Sequence, residues 1–491
     1  MPPLELLTPT LLDRIVSEAF ALLETPGVKV QSVEAMSLLA GAGARVDPAG
    51  QVAHIPESLA RCALQTAPRE FSLYDGAGKS HVHYGGDAVH FDPGSAAIHI
   101  LDPDTGEHRN AITADLARLV KVVEVLPQYD AQSTALVCSD VPAAMADLYR
   151  LYLVLMYSGK PIVTGAFALE TLEVMREMLS VVGGDGATGK PRAIFDVCPA
   201  PPLIWSNFAS GNLIALARAG IPAEIVSVPL AGAAAPVTLL GAVTQHTAEC
   251  LAGITIHQLA GSGSPVVWGG AACIFDMKKG ATPMGAVETA MLDCSYAQVA
   301  KSIGMPTHTY LGATDSKLVD AQAGLESGIT AMIGALSGIN MISGSGMLDF
   351  LSCHSAEKLV IDAEGIAMAK RMITGMQLHT ETLATGFFDS NINFKGGDFL
   401  KQKITMQLFR KEQHLPSNVI DRDSMRNWKE AGSMDTFKRA KIIVDQLLAS
   451  YSKPQLDEAK ETALHDFMLD LARKAGMDAL PSHEKTPAAI S

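Results

Sequence analysis

The stretch 206–228, SNFASGNLIALARAGIPAEIVSV, decides the fold class, because it holds one complete helix–strand unit. Apolar residues recur at helical spacing from Ser206 to Ala219, which predicts a helix. The short apolar run Ala223–Val228 follows within a few residues and predicts a buried strand. Such a unit is typical of a parallel sheet whose faces are covered by helices.

The same alternation extends outward from this stretch over residues 111–375. It gives seven predicted strand–helix alternations, and that number favours a closed barrel over an open doubly wound sheet. The fold class is therefore predicted as α/β, a (β/α)8 TIM-type barrel. The remaining strand falls at Val89–Phe91 or at Ala97–Ile100, and the sequence does not decide between them. The seven strands are predicted at Ala131–Val137, Pro161–Gly165, Arg192–Val197, Ala223–Val228, Pro265–Trp268, Pro306–Tyr310 and Ile339–Ser343.

The segments before and after the barrel differ from it in pattern. Residues 1–110 predict an N-terminal α/β cap with small hairpins, and residues 111–375 predict the TIM-type barrel. Residues 376–491 are more charged and predict a C-terminal helical extension. Amphipathic helices are predicted there at Lys401–Lys411, Met434–Leu448 and Leu456–Lys474.

Composition and motifs exclude several functional classes. The formal net charge is −14, which argues against a nucleic-acid partner, because phosphates demand a basic surface. The seven cysteines are odd in number and form no CxxC pair, so neither a disulfide framework nor a structural zinc site is expected. No GxGxxG or GxxxxGK[ST] motif is present, which removes the strongest argument for a nucleotide site.

Two long uncharged stretches, 225–248 and 250–275, each have the length to span a bilayer. Residues such as Pro229, His246 and Pro265 interrupt them, so they are predicted to form buried strands, loops and one shared helix. The N-terminus lacks the basic and apolar regions of a signal peptide. We therefore expect a cytoplasmic protein without a membrane partner.

The loops predicted at the C-terminal ends of the strands are rich in aromatic rings and glycine. Active sites of βα barrels are built at this face. Ring faces hold quaternary ammonium groups, which have no hydrogen-bond donor. The alternative is that the rings fill the barrel mouth as core. The candidates for substrate binding are Phe91, Phe167, Trp205, Trp268, Tyr310, Gly346, Phe350 and His354.

Three polar residues near the same strand ends are candidates for catalysis: Asp315, Asp349 and His354. The acids around Asp315 have a plainer explanation, because acidic side chains complement the dipole at the start of a helix. Cys353 and His354 suggest a thiol and its base, but neighbours in sequence rarely face each other. His354 and the turn 344–346 are also candidates for holding a substrate carboxylate.

Four histidines raise the question of a metal site. They alternate on short predicted hairpins, where histidine is tolerated on a polar face. No cysteine or carboxylate triplet at ligand spacing accompanies them, so no metal is predicted. The four residues are His81, His83, His90 and His99.

Four segments stand out by their order and spacing: GGDAVHFDPG (85–94), DSKLVDAQA (315–323), GSGMLD (344–349) and LVID (359–362). Together they resemble the trimethylamine methyltransferase family, and the resemblance runs from Leu6 to about Met468. Order and spacing carry it, because no single segment is as specific as a zinc signature. The resemblance implies a barrel enzyme that passes a methyl group from a small methylated amine to the cobalt of a separate corrinoid-binding protein. It also implies a homo-oligomer without a tightly bound cofactor, since cobalamin is supplied by the partner.

One departure from the family narrows the expected substrate. The archaeal trimethylamine enzymes carry pyrrolysine, whereas this chain has only standard residues; the resemblance places the missing residue near 346–350. Relatives without pyrrolysine act on glycine betaine, proline betaine, carnitine or γ-butyrobetaine. A quaternary ammonium leaves as a neutral amine without further activation, so positioning and desolvation suffice for its reaction. We therefore expect a quaternary amine such as glycine betaine.

Three alternatives stay open at the level of sequence. They are a trimethylamine methyltransferase, a barrel lyase or decarboxylase that acts on a small anion, and a non-catalytic amine-binding protein. The lyase would be active without any corrinoid protein, and the binding protein would bind an amine without transferring its methyl group.

Overall fold

The computed structural model describes residues 3–184, 189–388 and 398–483. Its centre is a closed barrel of eight parallel strands, so the predicted α/β barrel is confirmed. The unplaced strand is His90–Pro93, which pairs with Met341–Ser345. In chain order the strands are His90–Pro93, Gln132–Ser133, Ile162–Thr164, Ala193–Val197, Ala223–Ser227, Val266–Gly270, His308–Thr309 and Met341–Ser345.

Backbone hydrogen bonds close the barrel where the strand ladders are interrupted. Between the first and second strands, the Asp130 N–H donates to the Phe91 carbonyl at 2.8 Å. Between the sixth and seventh, Trp268 forms a parallel bridge with Thr307. The circle therefore has no free edge, which a sheet of this length would otherwise expose.

Each barrel strand is followed by a helix on the outer face, and together these helices cover the barrel. Their buried faces are apolar, as expected for helices that pack on a parallel sheet. The helix Leu239–Ala260 is buried nearly all round, because the N-terminal helices cover its outer side. The eight helices are Thr113–Val125, Ala146–Tyr157, Leu169–Val182, Asn207–Ala219, Leu239–Ala260, Val287–Ser302, Ala321–Leu336 and Ala356–Thr374.

The hairpin Phe71–Tyr74 and Ser80–Tyr84 closes the N-terminal end of the barrel. Its Leu73, Val82 and Tyr84 pack with apolar residues near the starts of the barrel strands. The remaining N-terminal elements pack mainly against the outer helices. They are the helices Pro9–Glu24, Val33–Gly41 and Glu57–Thr66 and the strands Val28–Val30, Arg45–Asp47 and Val52–His54.

Shorter elements complete the chain. The C-terminal helices Thr436–Ser450 and Glu458–Lys474 pack against barrel helices; Lys403–Glu412 and Met425–Glu430 precede them. The predicted division at residues 110 and 375 stays a prediction; the first barrel strand lies before residue 110. Short strands in the loops are His99–Leu101, His108–Asn110, Ile204–Trp205, Leu230–Ala231, Cys273–Ile274, Met347–Leu348 and Cys353–His354, and 3₁₀ turns are Ala143–Met145 and Thr385–Phe387.

The two uncharged stretches fold into the helix Leu239–Ala260 and the strands on either side of it. Among the described residues, no helix is both long enough and apolar enough to cross a membrane.

Candidate functional site

A cavity of about 510 Å³ opens at the C-terminal face of the barrel. Residues at or just after most of the strand ends contribute to its wall, so the fold brings together segments that are far apart in sequence. This is the position at which barrel enzymes bind their substrates. The residues that line it include Ser95, Arg150, Phe167, Asp196, Cys198, Asn212, Val228, Cys273, Met284, Tyr310, Phe350 and Leu351.

Four aromatic rings line this mouth cavity: Phe167, Phe208, Tyr310 and Phe350. The Arg150 guanidinium lies 4.3 Å from the Phe167 ring centre, and the Lys317 ammonium lies 3.9 Å from that of Phe350. Tyr310 is nearly fully buried, and its ring meets the His308 imidazole edge-on at 5.0 Å. Two of the rings therefore already contact a cation of the protein itself.

Asp196 is the acidic group of the cavity wall. Its Oδ2 accepts a hydrogen bond from the Tyr310 hydroxyl at 2.9 Å, and that hydroxyl lies 3.1 Å from the Ser95 Oγ. Its Oδ1 is buried and has no hydrogen-bond partner in the protein. Burial, followed by the nearby charge of Glu224, raises the pKa of Asp196 to about 7. The carboxyl is therefore partly protonated at neutral pH.

A buried network of polar side chains continues from Asp196 into the barrel. Glu224 pairs in register with Asp196 on the neighbouring strand, and its carboxylate lies 2.7 Å from the His308 Nδ1. Burial lowers the pKa of His308, but the charge of Glu224, its hydrogen bond and the charge of Asp196 together outweigh this effect and raise the pKa overall. The His308 Nε2 is 3.0 Å from the Ser343 Oγ, which donates a short hydrogen bond to Asp92. Within this network the polar groups inside the barrel are partners for one another, in place of the water that would otherwise bind them.

The loop after the eighth strand enters the mouth through a left-handed turn. Asp349, Phe350 and Leu351 have φ values of 49°, 55° and 69°, a conformation that L-residues rarely adopt. Asp349 holds the turn, since its carboxylate accepts from the Ser352 hydroxyl at 2.7 Å and lies 3.3 Å from the Lys317 ammonium. The turn places Phe350 and Leu351 in the cavity wall.

The sequence profile of the family described as trimethylamine methyltransferase (MTTB) matches residues 1–477. The chain belongs to the trimethylamine methyltransferase family. It is a methyltransferase, as are its named relatives.

Similar relatives in the family span nearly the whole chain. A trimethylamine methyltransferase of Desulfitobacterium hafniense is 30% identical over 465 residues, covering 94% of this chain and 93% of the relative. One from Methanosarcina mazei is 32% identical and covers 92% of each chain. A glycine betaine methyltransferase of Desulfitobacterium hafniense is 28% identical over 480 residues, covering 97% of this chain and 99% of that protein.

A solved structure shares the architecture. The monomethylamine methyltransferase of Methanosarcina barkeri superposes with a TM-score of 0.51 at 12% identity, covering 95% of this chain and 87% of that one. At this identity the likeness supports the fold alone.

The cavity of this family member brings together three of the predicted substrate-binding residues, Phe167, Tyr310 and Phe350. The two tryptophans lie elsewhere in the core. Trp205 packs against Gly253 of a barrel helix and donates its indole N–H to the Glu249 carbonyl at 3.3 Å. Trp268 is fully buried beside His246, outside the cavity wall.

The other three predicted binding residues also lie outside the wall. Phe91 is buried in the first strand. Gly346 has a φ of 82° and packs directly on the His354 ring. Burial, followed by the charge of Lys358, lowers the pKa of His354 to about 3. His354 is therefore neutral at physiological pH and offers no charge to an anion.

The two acids predicted for catalysis hold loops around the cavity. The Asp315 carboxylate accepts from the backbone N–H groups of Met284 at 2.7 Å and Gly285 at 3.2 Å, and Met284 lines the cavity. Asp349 holds the left-handed turn. Both act on the cavity through other residues, and their catalytic role stays a prediction.

The described residues contain no group of three or more His, Cys, Asp or Glu side chains that could hold a metal ion. Two of the predicted hairpin histidines lie near a carboxylate, and the His83 Nε2 is 3.7 Å from Glu70. His90 accepts a hydrogen bond from the His83 backbone N–H at 3.2 Å, and its Nδ1 lies 3.6 Å from Asp130.

Four polar residues that define the site were not predicted from the sequence: Arg150, Asp196, Glu224 and His308. A signal was present for the two acids, since each interrupts a strand that is otherwise apolar, and a buried charge in a barrel strand must point to partners. Arg150 lies on a helix, and helical spacing alone does not show which polar residue faces the barrel mouth.

Proposed function

We propose that the chain transfers a methyl group from a quaternary amine, such as glycine betaine, to the reduced cobalt of a corrinoid that a separate protein carries. The observation that supports this most is the mouth cavity, whose wall combines aromatic rings with the buried acid Asp196. The family places methylated amines among the substrates of the relatives.

The absence of pyrrolysine from the sequence favours a quaternary over a tertiary amine. A tertiary amine needs protonation or another activation before it can leave, whereas a quaternary ammonium departs as a neutral amine. The positive charge is dispersed as the methyl group moves. A wall of aromatic rings therefore stabilises the transition state better than a wall of ionised carboxylates would. The Tyr310 ring in the cavity wall fits this requirement.

The residues of the cavity position the substrate and exclude water. The Tyr310 ring offers its π-face to the ammonium, and its hydroxyl keeps the Asp196 carboxyl in place at 2.9 Å. Phe350 and Leu351 narrow the opening from the loop of the eighth strand. Together they hold one methyl group towards the open side, where a nucleophile approaches in line.

The rim of the cavity fits a corrinoid delivered from outside. Apolar side chains remain exposed around it: Phe167 is 47% exposed and Phe208 is 39% exposed. A large, flat, mostly apolar group and its carrier protein can pack against such a rim. The reduced cobalt supplies the nucleophile, while the chain supplies the bound and oriented amine.

The test is formation of methylcobalamin from added Co(I) cobalamin, followed by its absorbance, with glycine betaine, choline, carnitine and trimethylamine as methyl donors. We expect product with at least one quaternary amine and less or none with trimethylamine. Product with trimethylamine alone would favour the tertiary reaction instead. No product with any donor, although the amine binds, would support a non-catalytic binding protein and contradict the proposal.

A further inference from the structure

Arg150 is a buried cation that forms no ion pair among the described residues; the charges of Asp147 and Asp196 act on it from beyond ion-pair distance. Its side chain lines the mouth cavity, and the residue is only 2% exposed. No described carboxylate lies within ion-pair distance of its guanidinium. Its terminal nitrogens donate to two backbone carbonyls, those of Thr134 at 3.1 Å and Gly165 at 2.8 Å, and its Nε has no hydrogen-bond partner.

Such an arrangement is costly unless an anion completes it. A guanidinium has five N–H donors, so two hydrogen bonds to carbonyls leave three donors unused. Burial lowers the pKa of Arg150 only to about 10, so the group remains charged at neutral pH. A buried charge that is neither paired nor fully hydrogen-bonded destabilises a fold strongly, and cavities that bind charged ligands are where it is tolerated.

The surroundings leave Arg150 ready to bind a planar acid. The Phe167 ring lies on the guanidinium at 4.3 Å and the helix Ala146–Tyr157 fixes its base, so the side chain is held in one orientation. A guanidinium held in this way can bind a carboxylate through two parallel hydrogen bonds. No other Lys, Arg or His side chain lines the cavity among the described residues.

The acidic group of the same cavity offers the opposite polarity. Asp196 has an unpartnered Oδ1, and Tyr310 adds a ring face beside it. One cavity therefore holds one basic and one acidic group, and a zwitterion would place a charge of opposite sign beside each.

We propose that Arg150 binds the carboxylate of the substrate, so that the cavity selects methylated ammonium compounds that also carry an acid group. This inference rests on the proposed function, because it assigns the second end of the amine that the cavity holds. Asp196 and Tyr310 face the ammonium end, and Arg150 determines the preference for a betaine over a quaternary amine without a carboxylate.

Calorimetric titration of the wild-type chain with glycine betaine and with choline gives the first test, and it requires no variant. The two ligands share the trimethylammonium group, and only betaine has a carboxylate. We expect betaine to bind more tightly. Equal affinity for the two would overturn the role of Arg150 and leave the proposed methyl transfer intact, whereas no binding of any quaternary amine and no methyl transfer would overturn both.

Variants then assign the preference to the side chain. Arg150→Gln should weaken betaine binding roughly 10- to 100-fold, the loss expected for charged hydrogen bonds, and leave choline binding within about twofold. Arg150→Lys, which keeps the charge but loses the forked geometry, should show a smaller loss in the same direction. An equal loss for both ligands would mean that Arg150 only supports the fold, and would overturn the proposal.

The matched control is Arg192→Gln. Arg192 is also buried, at 4% exposure, and donates to the Ser158 carbonyl, but it does not line the cavity. Its variant should lose stability without losing the preference for betaine. Loss of that preference in Arg192→Gln would show that the effect is general destabilisation.

Discussion

At the scale of single residues, Tyr310 and Asp196 work as a pair. The hydroxyl of Tyr310 donates to Asp196, and burial of both groups keeps the phenol protonated, since its pKa is raised well above the usual value. The aromatic residue was predictable from its place after a strand. The acid was not predicted, because the sequence does not show whether a single charged residue in a short apolar strand faces a cavity or a partner inside the barrel.

The ring and the hydroxyl of Tyr310 can be separated by two substitutions. Tyr310→Leu removes the ring and should weaken binding of a quaternary amine about 2- to 30-fold, the range of a cation–π contact. Tyr310→Phe keeps the ring and should have the smaller effect. Phe71→Leu on the hairpin at the closed end is the control, with unchanged affinity. Equal binding by Tyr310→Leu and wild type in calorimetry would remove Tyr310 from the site.

Binding of a quaternary amine should depend on pH through Asp196. A cation favours the ionised carboxylate, so affinity should rise between about pH 6 and pH 8, as Asp196 loses its proton near 7, and then level off. The nearby His308 and Glu224 pair also carries charge, so a variant is needed to attribute the pH dependence to Asp196. Asp196→Asn should flatten the calorimetric profile, and the same slope in variant and wild type would contradict it.

At the scale of elements, the barrel strands and helices followed from periodicity, while the strand at residues 90–93 did not. Two candidates for it lay within twelve residues, and both form strands: His90–Pro93 joins the barrel, and His99–Leu101 forms a hairpin. Only long-range pairing with Met341–Ser345 distinguishes them. The left-handed turn after the eighth strand was also beyond the sequence, because its three residues have no glycine among them.

The end of the eighth strand should be intolerant of a larger residue. A Cβ at Gly346 would lie 2.2 Å from the His354 Cε1, and its φ of 82° is itself unfavourable for other residues. Gly346→Ala should destabilise the fold by about 2–4 kcal/mol, combining the left-handed conformation with overpacking. Gly106→Ala, at φ 72° with open space, should cost only about 1–2 kcal/mol. Thermal denaturation compares them; equal losses would show that the close contact is unimportant.

At the scale of the whole molecule, the barrel is closed at one end and open at the other. The hairpin core at the closed end and the cavity at the mouth have no side chain in common. Stability and substrate binding are therefore assigned to opposite ends. The fold class predicted from the sequence also predicts which end of the barrel holds the site, since barrel sites lie at the C-terminal strand ends.

A substitution at the closed end should separate the two properties. Leu73 is fully buried in the hairpin core, so Leu73→Ala should cost about 2–5 kcal/mol of stability. The folded fraction should retain its affinity for quaternary amines. Leu400→Ala, where the leucine is 78% exposed, should change stability by less than about 0.5 kcal/mol. A loss of affinity in folded Leu73→Ala would mean that the two ends are coupled.

The proposed reaction removes a methyl group from a quaternary amine and passes it to reduced cobalt. The most direct measurement is a reaction of the chain with glycine betaine and Co(I) cobalamin, in which methylcobalamin is followed by absorbance and dimethylglycine by mass spectrometry. We expect the two products to appear together in a one-to-one ratio and only when the chain is present. Tight binding of glycine betaine without either product would contradict it.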